Sequence, residues 1–306
     1  MLMLRVAFLS GSLLRPRATA RRAGELFGTP LASSRTRAAA MSDHGASESW
    51  LETAGRGEVD WGKVDWKQEG QRIRAYRWGD PQDQPYVLFA HGWSSHGTRF
   101  ARWIGRLRAA GYAAVAFDQP AHGRSPGRSA NLPVFTDTLH AVARHFGPAQ
   151  AVVGHSLGAA AAAVALAQGL AAERAVLLAP AADPIDASYR FSRQIGLPGR
   201  LCRDMIAMFE RQIGISMAEL QAQHIAPRIG RPALIVHDLE DREVPWSEGE
   251  RYARLWPHAR LLTTRRLGHN RIVDDDGVID AALRFLAGGT VGERIVSSPN
   301  LPYGFA

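Results

Sequence analysis

The chain has 306 residues, 46% hydrophobic and 22% charged, so there is ample apolar material for a globular core. Its single cysteine, Cys202, excludes an internal disulfide and fits a passive apolar filler in a reducing compartment. The formal net charge of +8 is concentrated in residues 1–40, where seven arginines face the single acid Glu25. The rest is close to neutral and carries no basic stripe interleaved with aromatics, which argues against a nucleic-acid partner.

Residues 1–60 are rich in Ala, Arg, Ser and Gly and show no sustained period. The apolar stretch 1–14 is interrupted by Arg5, Ser10, Gly11 and Ser12 and is too short to span a membrane. Residues 1–57 are therefore expected to be an extension that is disordered, a targeting segment, or the product of a start upstream of Met41. The expected location is cytoplasmic, or mitochondrial if residues 1–40 are an Arg-rich, acid-poor transit peptide. No apolar run elsewhere is long enough for a membrane span, and oligomeric state leaves no mark in the sequence.

From residue 58 the chain changes character. Short strands are expected at 60–68 and 71–78 across a Glu69-Gly70 turn. Residues 86–90, YVLFA, form a continuous apolar run, the pattern of a strand buried on both faces. Helical spacing follows over 100–110, a strand over 113–117 and a helix over 134–146. A strand over 151–153 precedes an alanine-rich helix over 157–170. Further strands are expected at 175–178, 233–236 and 260–263, with helices at 247–255 and 276–287. This alternation predicts an α/β fold with a mainly parallel sheet flanked by helices. About fifty residues, 181–232, lack a buried strand and carry Met205, Met208 and Phe209 at helical spacing. They read as a helical insertion, at about 183–231, within a main domain of 58–287. A tail, 288–306, follows.

The sequence VVGHSLG over 152–158 places Ser156 where a strand turns into a helix, between Gly154 and Gly158. A sharp turn there lifts the side chain clear of the sheet and requires small neighbours two residues away. It also sets the hydroxyl at a helix N-terminus, where developing negative charge is favoured. This is the G-x-S-x-G pattern of a nucleophile elbow. A serine hydroxyl needs a base, and the base an orienting acid. His269, in Leu267-Gly268-His269-Asn270 just past the last strand, falls on the same sheet edge as Ser156, and His237 is its rival. The acid is expected after the strand 233–236. Asp241 is the choice over Asp238 and Glu240, with Asp183 and Asp186 as a further possibility. Oxyanion donors are expected from the backbone N–H of Leu157 and of Trp93, the latter in His91-Gly92-Trp93 after the strand 86–90. The Trp93 ring either walls the pocket or packs in the core, and His91 reads as a buried hydrogen-bonding residue.

Together these segments resemble the α/β-hydrolase superfamily over about residues 66–286. His91-Gly92-Trp93 resembles its H-G-x oxyanion loop, and Asp118-Gln119-Pro120-Ala121-His122-Gly123-Arg124-Ser125 its D-x-P-G-H-G-x-S turn, with Ala121 in place of the usual glycine. Gly154–Gly158, the D-x-x-V-P run from Asp241 to Pro245, and Gly268-His269 complete the match. His237-Asp238-Leu239-Glu240 lacks the glycine that usually opens the acid loop. The resemblance implies the α/β-hydrolase fold with a helical cap insertion, no cofactor and no metal. It also implies a serine hydrolase acting on a small-molecule acyl substrate through Ser156, Asp241 and His269. A carboxylesterase on small to medium apolar acyl groups is the leading expectation, with the apolar cap face of Met205, Met208 and Phe209 as its substrate contact. A thioesterase, an amide or peptide hydrolase, and a catalytically silent ligand-binding relative are the alternatives.

Overall fold

The computed structural model describes residues 2–53 and 71–295; the strand expected at 60–68 and the end of the tail lie outside them. Its spine is an eight-stranded sheet. The strands are β1 (Ser47–Thr53), β2 (Gln71–Trp78), β3 (Tyr86–Ala90), β4 (Ala113–Phe117), β5 (Ala149–His155), β6 (Ala172–Leu178), β7 (Ala233–Asp238) and β8 (Ala259–Thr264). Their spatial order is β1-β2-β4-β3-β5-β6-β7-β8. The pairings β1 with β2 and β2 with β4 are antiparallel, and every later pairing is parallel. Strands that are apolar at every position sit in the middle because both sheet faces are covered. Along β3, Tyr86, Leu88 and Ala90 enter one core while Val87 and Phe89 enter the other, as the two-residue period of a strand requires.

On the first face lie α5 (Leu132–Phe146), α6 (Leu157–Ala167) and α10 (Trp246–Leu255), contributing Phe135, Leu139, Ala159 through Ala163, Tyr252 and Trp256. Ala159 through Ala163 are all buried, so α6 meets the sheet on one side and α5 on the other, and small side chains let all three approach closely. The second face is covered by α4 (Ala101–Ala109) and α12 (Asp276–Leu286). There the fully buried Trp103 packs on Phe89, with ring centroids 5.7 Å apart. Its indole N–H donates to the Val273 carbonyl at 2.8 Å, tying α4 to the segment that follows His269.

Between β6 and β7 lie α7 (Pro184–Ile195), α8 (Gly199–Ile213) and α9 (Ala222–Ile225). Residues 2–40, for which disorder was one of three expectations, are largely helical. They form α1 (Leu2–Leu14), α2 (Pro16–Phe27) and α3 (Ser33–Ala40), and the first two pack onto the insertion. Phe8, Ala20 and Ala23 join Ile195, Leu197, Leu201, Cys202, Met205, Ile206, Phe209 and Met217 in one apolar cluster, with Met208 against it. Met205, Met208 and Phe209 are thus engaged with the N-terminal helices, and this packing accounts for the apolar stripe that suggested a substrate contact. Of the tail, Val291 is buried and residue 293 bridges to Leu261 beside β8. The remaining helix, α11 (Gly268–Arg271), carries the candidate base.

Replacing Trp103 by Ala should remove about 3–5 kcal/mol of folding stability. Equilibrium urea unfolding checks this; a loss below about 1 kcal/mol would mean that α4 does not hold the second face.

Candidate active site

Ser156 ends β5 and caps α6 with φ 54° and ψ −120°, a backbone conformation that non-glycine residues rarely hold. Its own N–H is anchored to the Leu178 carbonyl at 2.9 Å. A Cβ on Gly154 would stand 2.5 Å from the Ala159 Cα, and one on Gly158 2.3 Å from the Ala90 carbonyl oxygen. Both glycines are therefore required by backbone lying directly against them. The turn leaves the N–H of Leu157 as the first of the helix, with no carbonyl one turn back to bond.

The candidate base and acid meet at hydrogen-bond distance. His269 Nδ1 donates to Asp241 Oδ2 at 2.6 Å, and both side chains are almost wholly shielded from solvent. The other Asp241 oxygen accepts the N–H groups of Glu243 and Val244, fixing the turn that leads to α10. His237, the alternative base, lies 3.3 Å from Asp241 with its Nε2, which also donates to the Val244 carbonyl at 3.0 Å. It is buried behind the acid and supports it. Burial alone would raise the Asp241 pKa. The hydrogen bonds from His237 and His269, the nearby His269 charge and the Val244 N–H outweigh burial and hold the carboxyl well below the usual carboxylate range.

His155, the residue before the serine, brings the two halves of the site together. Its Nε2 donates to the His269 carbonyl at 2.9 Å, and the two imidazole rings stand 4.8 Å apart. Burial, aided by repulsion from His269, pushes its pKa well down, so it is neutral and acts as a fixed donor. The Ser156 hydroxyl makes no hydrogen bond to His269; catalytic bonds of this kind are often long before substrate is bound. Asp238, considered as the acid, has another task. Its oxygens accept from Thr264 Oγ1, Leu267 N–H and Glu240 N–H, clamping the loop on which His269 stands. Asp183 caps α7 by accepting from the N–H groups of Ile185 and Asp186. The positions of His155 and Asp238 left one trace each in the sequence: a histidine inside the elbow, and an acid at the end of a buried strand.

The loop after β3 lies against the serine. A Cβ on Gly92 would be 3.0 Å from that of Ser156, so Gly92 permits this approach, and Trp93 is the next residue. The Trp93 ring is half-buried, edge-on to His122 at 5.0 Å and tilted against Phe135 at 6.2 Å. His91 accepts the Gln119 N–H on Nε2 and donates from Nδ1 to the Gly92 carbonyl, and burial depresses its pKa to about 3. It is a neutral strut between two loops. Asp118, buried, accepts from Tyr76 Oη, Gly97 N–H and Arg124 N–H, tying the same loop to the D-x-P turn. Ala121 stands in that turn at φ 65°, the conformation a glycine would hold without strain. Arg35, from α3, donates to the carbonyls of Ala121, Ser125 and Gly127 and braces the turn from outside. Beside it, Leu31 N–H donates to Ser94 Oγ and Arg37 to the Ser94 carbonyl, one residue from Trp93.

Comparison with known proteins bears on the fold. The family described as serine aminopeptidase, S33, matches residues 81–220. Among solved structures, a hydrolase from Agrobacterium vitis is similar with a TM-score of 0.60 and 20% identity, over 79% of this chain and 98% of that one. An esterase from Exiguobacterium antarcticum is similar at 0.55 and 16% identity, over 71% and 96%. A monoacylglycerol lipase from Paleococcus ferrophilus is similar at 0.56 and 18% identity, over 71% and 98%. No curated protein matches in sequence. These likenesses and the sheet topology show the α/β-hydrolase fold. No described helix is long and apolar enough to cross a membrane, and no group of metal-ligating side chains occurs among the described residues.

Because Asp241 is held below its unfolded value of about 3.9, its ionised form adds stability that is full above that value. The contribution is lost as pH falls through the folded value. Asp241→Asn should therefore melt below the wild type at pH 7, with the gap closing steadily below about pH 4. Thermal melts across that range check this, and a gap that stays constant would contradict it.

Proposed function

We propose that the protein is a serine hydrolase that cleaves an ester-type acyl bond through an acyl-enzyme. The observation that carries this is the 2.6 Å bond between His269 and Asp241 on a loop that His155 pins beside the strained turn of Ser156. In this reading Ser156 Oγ attacks the acyl carbon as its proton passes to His269 Nε2. Asp241 holds the proton-bearing Nδ1 toward itself and offsets the imidazolium charge. The oxyanion forms against the N–H groups of Leu157 and Trp93, donors of a type worth about 10²–10³ in rate each. His269 then gives its proton to the leaving oxygen. Water, deprotonated by the same imidazole, attacks the acyl-enzyme and releases the acid with Ser156 restored.

The esterase and lipase among the similar structures favour an ester substrate. The serine aminopeptidase description of the matching family favours a second reading, hydrolysis of an amide or peptide bond by the same residues. A panel of p-nitrophenyl esters of increasing chain length, acyl thioesters and aminoacyl anilides separates the classes and sets the preferred acyl size. Esters should give the highest kcat/KM, and a preference for anilides would select the second reading. Ser156→Ala should lower kcat by at least about 10⁴-fold while the melting temperature stays within a few degrees of the wild type. Retained turnover in that variant would overturn the mechanism.

A further inference from the structure

The N-terminal helix α1 presents an apolar surface that nothing among the described residues covers. Leu2, Val6, Leu9 and Leu13 recur at helical spacing along one line, and each is more than half exposed, from 51% at Leu9 to 79% at Leu13. Met3 and Leu14 widen the line at 89% and 81%. The opposite side of the helix is the one in use. Phe8 and Leu4 enter the cluster shared with α8, and Arg200 donates to the Ser12 carbonyl. A helix held to the body by its back, with leucines outward, has its apolar face available for another surface. Patches of this kind mark interaction sites more often than chance exposure.

Charge selects the occupant. Arg5, Arg15 and Arg17 are exposed on or just after α1, and Arg21 and Arg22 follow on α2, where both reach Glu25. Glu25 is the only acid in the first forty residues. A second copy of this chain would bring the same arginines against themselves, an arrangement that like charges oppose. An anionic lipid surface offers hydrocarbon to the leucines and phosphates to the guanidinium groups. At 1.5 Å per residue, thirteen residues reach about 20 Å, short of the roughly 30 Å of a bilayer's hydrocarbon. The helix would lie in the interface and not cross it.

We propose that the outward face of α1 docks the protein on an anionic membrane surface. The inference is independent of the catalytic reading, because binding to lipid requires none of the site residues.

Flotation of the full-length protein with vesicles tests the proposal without any substrate. Protein should float with phosphatidylglycerol–phosphatidylcholine vesicles and remain behind with phosphatidylcholine alone, and high salt should weaken the association. Val6→Asp/Leu9→Asp and, separately, Arg15→Glu/Arg17→Glu should each lower the partition coefficient at least about tenfold with melting temperature unchanged. Should the first variant melt early, Leu9→Trp supplies an independent reading. Its emission should shift to the blue on adding anionic vesicles, and an unshifted spectrum overturns the proposal. It is also overturned if the wild type stays with the soluble fraction, or if both double variants float as well as it does. Sedimentation showing a wild-type dimer that the Asp variant converts to monomer, without vesicle binding, would overturn it in favour of a second copy as the occupant.

Discussion

Ser156 holds a backbone conformation that a side-chain-bearing residue adopts only when its surroundings leave no alternative, and here they leave none. The Leu178 carbonyl fixes its N–H, α6 begins at the next residue, and backbone of β3 and α6 presses against the glycines on either side. The strain, of order 1–3 kcal/mol, is held by sheet and helix packing. What it provides is direction. The hydroxyl is lifted to the carboxyl edge of the parallel strands, where the loops after β3, β7 and β8 also arrive. Every other feature of the proposed site is a way of bringing a group to that point and keeping it there.

The histidine loop shows how much of that work is done away from the reacting atoms. His269 is restrained on one side by Asp241, through its backbone by His155, and from below by Asp238 clamping Leu267 and Thr264. His237 backs the acid. Burial keeps His155 and His91 neutral, so each serves as a donor or acceptor of fixed polarity and neither competes for the proton. On the opposite side, Arg35 and Arg37 of α3 grip the turn and the loop that carry Ala121 and Trp93. Ala121 is held at a positive φ partly by this external bracing, which compensates for the missing glycine.

Much of this was legible in the sequence because the signals were strong and local. Buried strands such as 86–90 are apolar at every position, and the elbow has fixed small residues at its two flanks for a steric reason the structure confirms. The order serine, acid, histidine is the one the elbow pattern calls for, and the proposed triad follows that order. What escaped were features whose cause is long-range. In α2 the buried face is Thr19, Ala20, Ala23 and Gly24, small residues with no large apolar side chain among them, so a packed helix looked like an irregular Ala- and Arg-rich stretch. In β1 only Leu51 and Thr53 of the pattern are buried, because it is an edge strand. The stripe of Met205 and Phe209 announced burial but could not say against what; its partner lay in α1 and α2, some two hundred positions earlier. Asp238 and Asp241 are both candidate acids by spacing, and only the fold shows that Asp241 bonds the imidazole of His269 while Asp238 bonds Thr264 and Leu267.

The claim on which the account turns is that Ser156 becomes covalently acylated. Rapid acid quench of the enzyme with a slowly hydrolysed p-nitrophenyl ester, followed by peptide mass mapping, tests it most directly. The account predicts one acyl group per chain, on the peptide containing Ser156, appearing with the burst of p-nitrophenol. Turnover with no acyl group on any residue, or with the group on a different side chain, would contradict it.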